Sequence, residues 1–316
     1  MNGPLENSLS GRDLAAVLAV VVIWGMTFVV MKTGLRDFSP FQLGVARYVL
    51  AVLPAVLIVR PPRIHWKWVV LYGLFQGVGQ FGLLFLALKV GMTAALASVL
   101  LQTQVFFTAL FGFVLLHERA SKPLQWGMGL AAGGLACFAM NYLAPGTTAG
   151  HATTSTTAWG LALTLCASAM WASSNIVARR VQQNYQDYSP VAFVVWSSCV
   201  AIVPFMALSL AFDDPAIRWQ WLDARASSWA AAAYLGWVAT VLGYSLWTGL
   251  LKRHPANRVA PFSLGVPIVG LAAGVGLLGE VITPWQWAGI ALVVAALVCV
   301  MLGGWLGAWW NAKSSA

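Results

Sequence analysis

Several polar side chains of this chain recur at helical intervals inside long apolar runs. Gln76 and Gln80 lie four residues apart; Ser168, Trp171 and Asn175 fall at i, i+3, i+7; Thr240, Tyr244 and Thr248 fall at i, i+4, i+8, with Trp247 beside them. On a helix each set forms one stripe. Such stripes offer hydrogen-bond donors and acceptors but no nucleophile–base pair, which is the chemistry of reversible binding. Polar groups inside a bilayer are costly and face the bundle interior or a water-filled path. Singly, each is accounted for by a helix–helix hydrogen bond of ~0.6 kcal/mol. As a set they read as the lining of a path.

The fourth apolar run complicates this. Ser98 and Gln102 make one stripe, Gln104 and Thr108 another. At ~100° per residue the two lie about 200° apart, so on a regular helix at most one faces a path. Gln102 is the preferred lining residue, and Gln104 is left to bond a neighbouring helix. Trp24 and Trp171 occupy mid-run positions away from any interface belt and suit opposite cavity walls, while Ser263 opens the ninth run.

Charges are confined to the ends of the runs, with one exception. Arg47 lies about six residues into the second run, roughly 10 Å deep at ~1.5 Å per residue. Glu280 ends the ninth run and His117-Glu118 ends the fourth. An Arg47–Glu280 pair is expected to steady one gate, with Glu118 and Arg119 or His117 serving the other. All nine acids avoid mid-run positions, and so do the histidines. A proton-driven pump for lipophilic cations would be expected to hold a buried carboxylate, so gradient-driven transport is expected. Coupling through Glu118 or His117 at the rim is the remaining route.

The elements that must carry these residues are membrane helices. Hydrophobic residues make up 60% of the chain and charged ones 9%, which is no soluble composition. Ten runs, near 14–31, 41–59, 68–88, 94–116, 124–143, 158–178, 190–212, 229–251, 257–279 and 285–308, are each long enough for a core of about 30 Å. The first is too long for a cleavable leader and lacks a small-residue cleavage site after it. The net charge of +9 is a matter of topology and implies no nucleic acid. With the N-terminus inside, twelve Lys and Arg fall on cytoplasmic flanks and five on the opposite side. The positive-inside rule therefore puts both termini in the cytoplasm. Cys137, Cys166, Cys199 and Cys299 lie within spans without close spacing, so no disulfide framework, metal site or cofactor is expected.

The chain also reads as written twice. Gly112, Leu115-Leu116 and Glu118 match Gly274, Leu277-Leu278 and Glu280; Trp24 matches Trp171, Ser39-Pro40 matches Ser189-Pro190, and Pro54 matches Pro204. The halves are 1–143 and 158–310, joined by the polar linker 144–157 and followed by a tail at 311–316. The fold expected is an all-α integral membrane protein of ten transmembrane helices, as two five-helix repeats. An odd number of spans per repeat gives the halves inverted topology, the architecture of many secondary transporters.

"WGMTF", the proline-led second span with Arg47-Tyr48, "GMTAALASVLLQTQVFFTALFGFVLLHER" and "RVAPFSLGVPIVGLAAGVGLLGE" resemble the EamA family of the drug/metabolite transporter superfamily. The likeness covers nearly the whole chain and is greatest to exporters of O-acetylserine and cysteine. The family's glycine before the first glutamate is His117 here, whereas Gly279 keeps the pattern. The resemblance implies a ten-helix exporter of small, amino-acid-like metabolites in the bacterial inner membrane, working by alternating access. A zwitterionic substrate of that kind needs donors and acceptors without a fixed counter-charge. The expected lining is Trp24, Gln76, Gln80, Gln102, Trp171, Asn175, Tyr244, Trp247 and Ser263; Arg47, His117, Glu118 and Glu280 are the gate or coupling residues. The alternative is a multidrug exporter with proton coupling, which aromatic walls would suit. No zinc-protease, nucleophile-elbow or P-loop motif points to an enzyme, and no catalytic residue is assigned. The expected partners are the small-molecule substrate and the lipid bilayer, and a monomer suffices because two fused halves make a complete path.

Overall fold

Helix starts are written locally. Ser39 Oγ accepts from the Gln42 amide at 3.1 Å while Gln42 Oε1 accepts from the Ser39 amide at 3.1 Å, a reciprocal cap, with Pro40 in the first turn. Ser189 and Pro190 repeat the serine cap and the proline but not the reciprocal bond, Ser189 Oγ accepting from the Ala192 amide. Hydroxyl caps of this kind satisfy amides that a helix start leaves without partners, and proline has no amide to lose there. The Ser-Pro signal of the two halves is thus the same local device, used twice.

The structure, a computed structural model, describes residues 10–116, 122–143, 158–185, 187–254 and 259–314. Among the described residues there is no strand. The helices are α1 (Gly11–Gly34), α2 (Pro40–Ile58), α3 (Trp66–Lys89), α4 (Ala94–Leu115), α5 (Lys122–Leu143), α6 (Ala158–Asn184), α7 (Pro190–Phe212), α8 (Ala226–Leu250), α9 (Gly265–Leu278) and α10 (Pro284–Ser314). Eight of them are long and apolar enough to cross a membrane among the described residues. The sequence predicts ten, and α5 and α9 make the difference. A 3₁₀ turn at Ala260–Leu264 opens the ninth run, leaving a shorter apolar helix over Phe262–Leu278. In α5, Lys122, Gln125, Asn141 and the glycines dilute the hydropathy. Large side chains such as Leu57, Ile58, Val203, Phe212 and Leu277 stay exposed on the helix exteriors. In water that would be a liability; it is the surface a bilayer requires.

Three helices depart from α geometry where the site lies. Gly73–Gly82 of α3 and Tyr234–Leu242 of α8 are π-helical, and Leu101–Thr103 of α4 is a 3₁₀ turn. Such segments shift side-chain register and are frequent at functional sites. The first half of α4 is the centre of the molecule, with every residue from Ala94 to Leu101 buried.

The principal contacts cross between the halves of the chain. α1 packs on α8 and α9, while α3 and α4 pack on α6; α2 lies against α7, α4 against α9, and α5 against α10. Glycine permits the closest approach between α4 and α9. A Cβ on Gly270 would strike Ser98, and one on Gly274 would lie 2.7 Å from the Ala95 amide nitrogen. The same GxxxG spacing at Gly129 and Gly133 does nothing comparable. A Cβ on Gly129 meets nothing within 4 Å and one on Gly133 only Leu292 at 3.7 Å.

Ion pairs tie α1 to α8 at both ends. At one end Asp13 meets Arg253 and His254, each at 2.9 Å. At the other, Arg225 at the start of α8 donates to Asp37 at 2.7 Å, and Ser228 Oγ donates to the same carboxylate at 2.7 Å. The Arg225 and Ser228 hydrogen bonds hold the Asp37 carboxyl well below the usual carboxylate range. A depressed carboxyl contributes stability that is fully present above its unfolded value, about 3.9, and lost as pH falls through the folded value. The melting-temperature gap between wild type and Asp37→Asn should therefore stay constant from pH 8 to 5 and close only below about pH 4. Thermal melts across that range check it, and a gap that closes already at pH 6 would contradict the assignment.

Candidate functional site

The π segment of α8 builds one wall of the site. In it Thr240 Oγ1 donates to the Leu235 carbonyl five residues earlier, and the Ala239 carbonyl is turned outward to accept Trp24 Nε1 at 3.0 Å. That bond fixes the indole of α1 against α8, where Tyr244 and Trp247 meet it with centroids 5.3 and 5.5 Å away. The three rings form an aromatic wall held by one backbone carbonyl.

Opposite this wall, α3, α4 and α6 supply amides. Gln76 Nε2 donates to Gln80 Oε1, and Ser174 Oγ of α6 donates to Gln76 Oε1. Asn175 Nδ2 donates to Gln104 Oε1 at 2.8 Å and to Thr108 Oγ1 at 3.1 Å. Between the walls is a cavity of about 300 Å³, at the lower limit for small-molecule sites. Trp24, Gln80, Gln102 and Trp171 line it, as do Asn175, Tyr244, Trp247 and Ser263. Gln76 lines a recess beside it, so all nine expected lining residues come together.

The expectation for α4 needs correction. Gln102 and Gln104 both border the cavity. The 3₁₀ turn at Leu101–Thr103 winds more tightly than an α-helix and breaks the 100° register on which the two-stripe argument depended. Gln104 therefore meets its other expectation as well, bonding α6 through Asn175. Ser98, of the same stripe as Gln102, also lines the cavity, as do Tyr72 and Thr27; Tyr72 precedes the π segment, and no spacing rule in the sequence points to it.

The Arg47–Glu280 pair is also corrected. Arg47 is 2% exposed; its Nη2 donates to Thr240 Oγ1 at 3.1 Å, and its guanidinium lies 3.6 Å from the centroid of Phe81. Glu280 instead caps α4. Its two oxygens accept from the Ala94 and Ala95 amides at 2.7 and 2.8 Å, and Lys32 approaches to 3.8 Å. A helix start concentrates free amides and positive potential, so it outcompetes a distant guanidinium for the carboxylate. Gly279, in the left-handed region at φ 64°, ends α9 and lets the chain turn so that Glu280 reaches across. Lys32 is an additional partner of Glu280, and Thr93, the capping residue just ahead of α4, is the sequence signal of the helix start that Glu280 meets. His117 and Glu118 lie outside the described residues.

Apolar exteriors surrounding a cavity walled by aromatic rings and amides fit a multi-pass membrane protein that binds small molecules. The sequence profile described as the EamA-like transporter family matches residues 13–140 and again 158–302, and the chain belongs to that family. It is 37% identical to a "Probable amino-acid metabolite efflux pump" of Salmonella typhimurium, over 93% of this chain and 96% of the relative. The Escherichia coli protein with the same description is 36% identical over the same shares. A "Probable terminal-alkyne amino-acid exporter" of Streptantibioticus cattleyicolor is 25% identical over 90% of this chain and 92% of that one. A solved crystal structure superposes with a TM-score of 0.59 at 15% identity, covering 93% of this chain and 98% of its own; that likeness concerns the fold alone.

Proposed function

We propose that the protein exports small amino-acid-like metabolites, O-acetylserine, cysteine or related compounds, from the bacterial cytoplasm by alternating access. The single observation that carries this reading is the central cavity, where aromatic and amide walls from both halves of the chain meet in a volume suited to an amino acid. The two efflux-pump relatives at 36–37% identity support the substrate class. The same reading places the protein in the inner membrane with both termini cytoplasmic, an orientation that the Lys and Arg distribution supports.

Ten crossings in two inverted five-helix repeats, 1–143 and 158–310, are part of the same reading. Contacts that pair α2 with α7, α4 with α9 and α5 with α10 are those expected of two halves related by a twofold axis. The twin π segments and Ser-Pro caps support it as well. One chain completes the path as a monomer.

Counterflow tests the function. Liposomes holding the purified protein and unlabelled cysteine or O-acetylserine inside, with no pH gradient, should accumulate external label above its equilibrium level. Accumulation under those conditions means transport without obligatory proton coupling. If label stays at equilibrium both there and with a pH gradient imposed, for every amino acid tried, the proposed function is wrong.

A further inference from the structure

One charged side chain at the heart of this site has two donors without an acceptor. Arg47 is buried among α2, α3 and α8, and of its donors only Nη2 is bonded, to Thr240. Nε and Nη1 are buried and have no acceptor. A guanidinium keeps its charge in proteins, and an uncompensated buried charge is among the most expensive features a fold can carry. The π-faces of Phe81 at 3.6 Å and Tyr48 at 5.6 Å offset part of that cost but accept no hydrogen bond in the guanidinium plane.

The surroundings specify what would complete it. Arg47 borders both the central cavity and the recess of about 20 Å³ beside it, and Tyr72, Phe81 and Tyr244 border both as well. A recess of that size holds roughly one water-sized group. Ser197, on α7, points a second buried and unpartnered donor, its hydroxyl, into the same recess. Arg47 and Ser197 occupy equivalent positions in the two halves, 150 residues apart like the Ser-Pro pairs. No Asp or Glu is among the described residues lining either space. The site therefore carries one positive charge and two sets of free donors around a space the size of a carboxylate oxygen.

We infer that Arg47, with Ser197, is the anchor for the carboxylate of the transported molecule. Guanidinium–carboxylate geometry suits this pairing, and the anion supplies both the missing acceptor and the missing charge. The aromatic wall of Trp24, Tyr244 and Trp247 borders the same cavity and suits the ammonium end through its π-faces. Arg47 is thus a substrate-binding residue rather than a gate residue, and the site carries the fixed counter-charge that the polar stripes alone would not supply. This rests on the proposed amino-acid transport and adds which end of the substrate is held, and by what.

The test is competition in the counterflow assay between an amino acid and its own primary amide, which differ at the carboxyl group. In wild type the acid should compete at least tenfold better than the amide. Arg47→Gln should bring the two within about twofold, Arg47→Lys should retain part of the preference, and Ser197→Ala should weaken it about threefold. Melting temperatures verify that each variant is folded. Equal competition by acid and amide in wild type, as for a recess that holds only water, overturns the inference, and so does an undiminished preference in folded Arg47→Gln. Should no amino acid support counterflow, the transport reading fails by itself. The anchor is then judged by tryptophan fluorescence of the purified protein, titrated with simple monocarboxylates against their amides. The same tenfold preference, lost in Arg47→Gln, upholds it, and no preference overturns it.

Discussion

Replacing Glu280 with alanine should lower the melting temperature by several degrees and cut counterflow at least tenfold. Its carboxylate accepts two amide hydrogen bonds, at 2.7 and 2.8 Å, from the first residues of α4, and is itself buried. Hydrogen bonds to a charged group contribute about 1.5–3 kcal/mol each, and truncation leaves the buried amides unsatisfied. The bonds join the end of α9 to the start of α4, the two helices that flank the cavity through Val266 and Gln102. Loss of the clasp should therefore leave one end of the path unable to close. Glu280→Gln keeps a single acceptor oxygen and should fall between. Melts and counterflow per folded molecule separate two outcomes. A variant that is less stable yet transports at the wild-type rate would make the clasp a structural strut, and wild-type behaviour in both would remove it from the account.

Gly274→Ala should be nearly as damaging, through one methyl group. A Cβ there would sit 2.6 Å from Glu280 Oε2, 2.7 Å from the Ala95 nitrogen and 2.8 Å from the Ala95 Cβ. Backbone cannot yield as a flexible side chain does, so α9 must retreat from α4 and the carboxylate must leave its amide. Overpacking of this kind costs about 1–3 kcal/mol, and the lost clasp adds to it. Gly129→Ala is the matched control, because its Cβ meets nothing within 4 Å and alanine favours a helix over glycine by about 1 kcal/mol. The expected pair of results is a Gly274→Ala protein that melts lower and transports at least tenfold more slowly, and a Gly129→Ala protein that melts at or above wild type. Equal melting temperatures for the two would show that the close approach of α4 and α9 does not govern stability.

What the sequence could and could not say follows from the range of each signal. Periodicity is local, so Gln76 and Gln80, Trp171 and Asn175, and Tyr244 with Trp247 beside it could be read, and the helices carry them to one cavity and the recess beside it. The Ser-Pro starts were legible for the same reason. Register was not, because the argument over Gln102 and Gln104 assumed an unbroken α-helix and nothing in "LLQTQ" announces a 3₁₀ turn. Partners across the fold were the least legible. Arg47 and Glu280 were paired on depth and opposite charge alone, whereas their real environments, a Phe81 ring and the amides of Ala94 and Ala95, depend on which helices become neighbours. Likewise the motif at Gly129 and Gly133 is indistinguishable in sequence from the one at Gly270 and Gly274, and only the facing surface tells them apart.

The exchange of contacts between halves bears on how the protein is made. Since α3 and α4 find their main neighbour in α6, and α1 finds its own in α8 and α9, the first five helices leave the ribosome with their polar faces uncovered. Gln76, Gln80 and Arg47 then wait in the bilayer for partners such as Ser174 and Thr240 that are synthesised later. On these contacts neither half covers its own polar faces, so the cavity needs both. α10 is the last helix to be made, so a chain stopped short of it would leave α5 without its main neighbour.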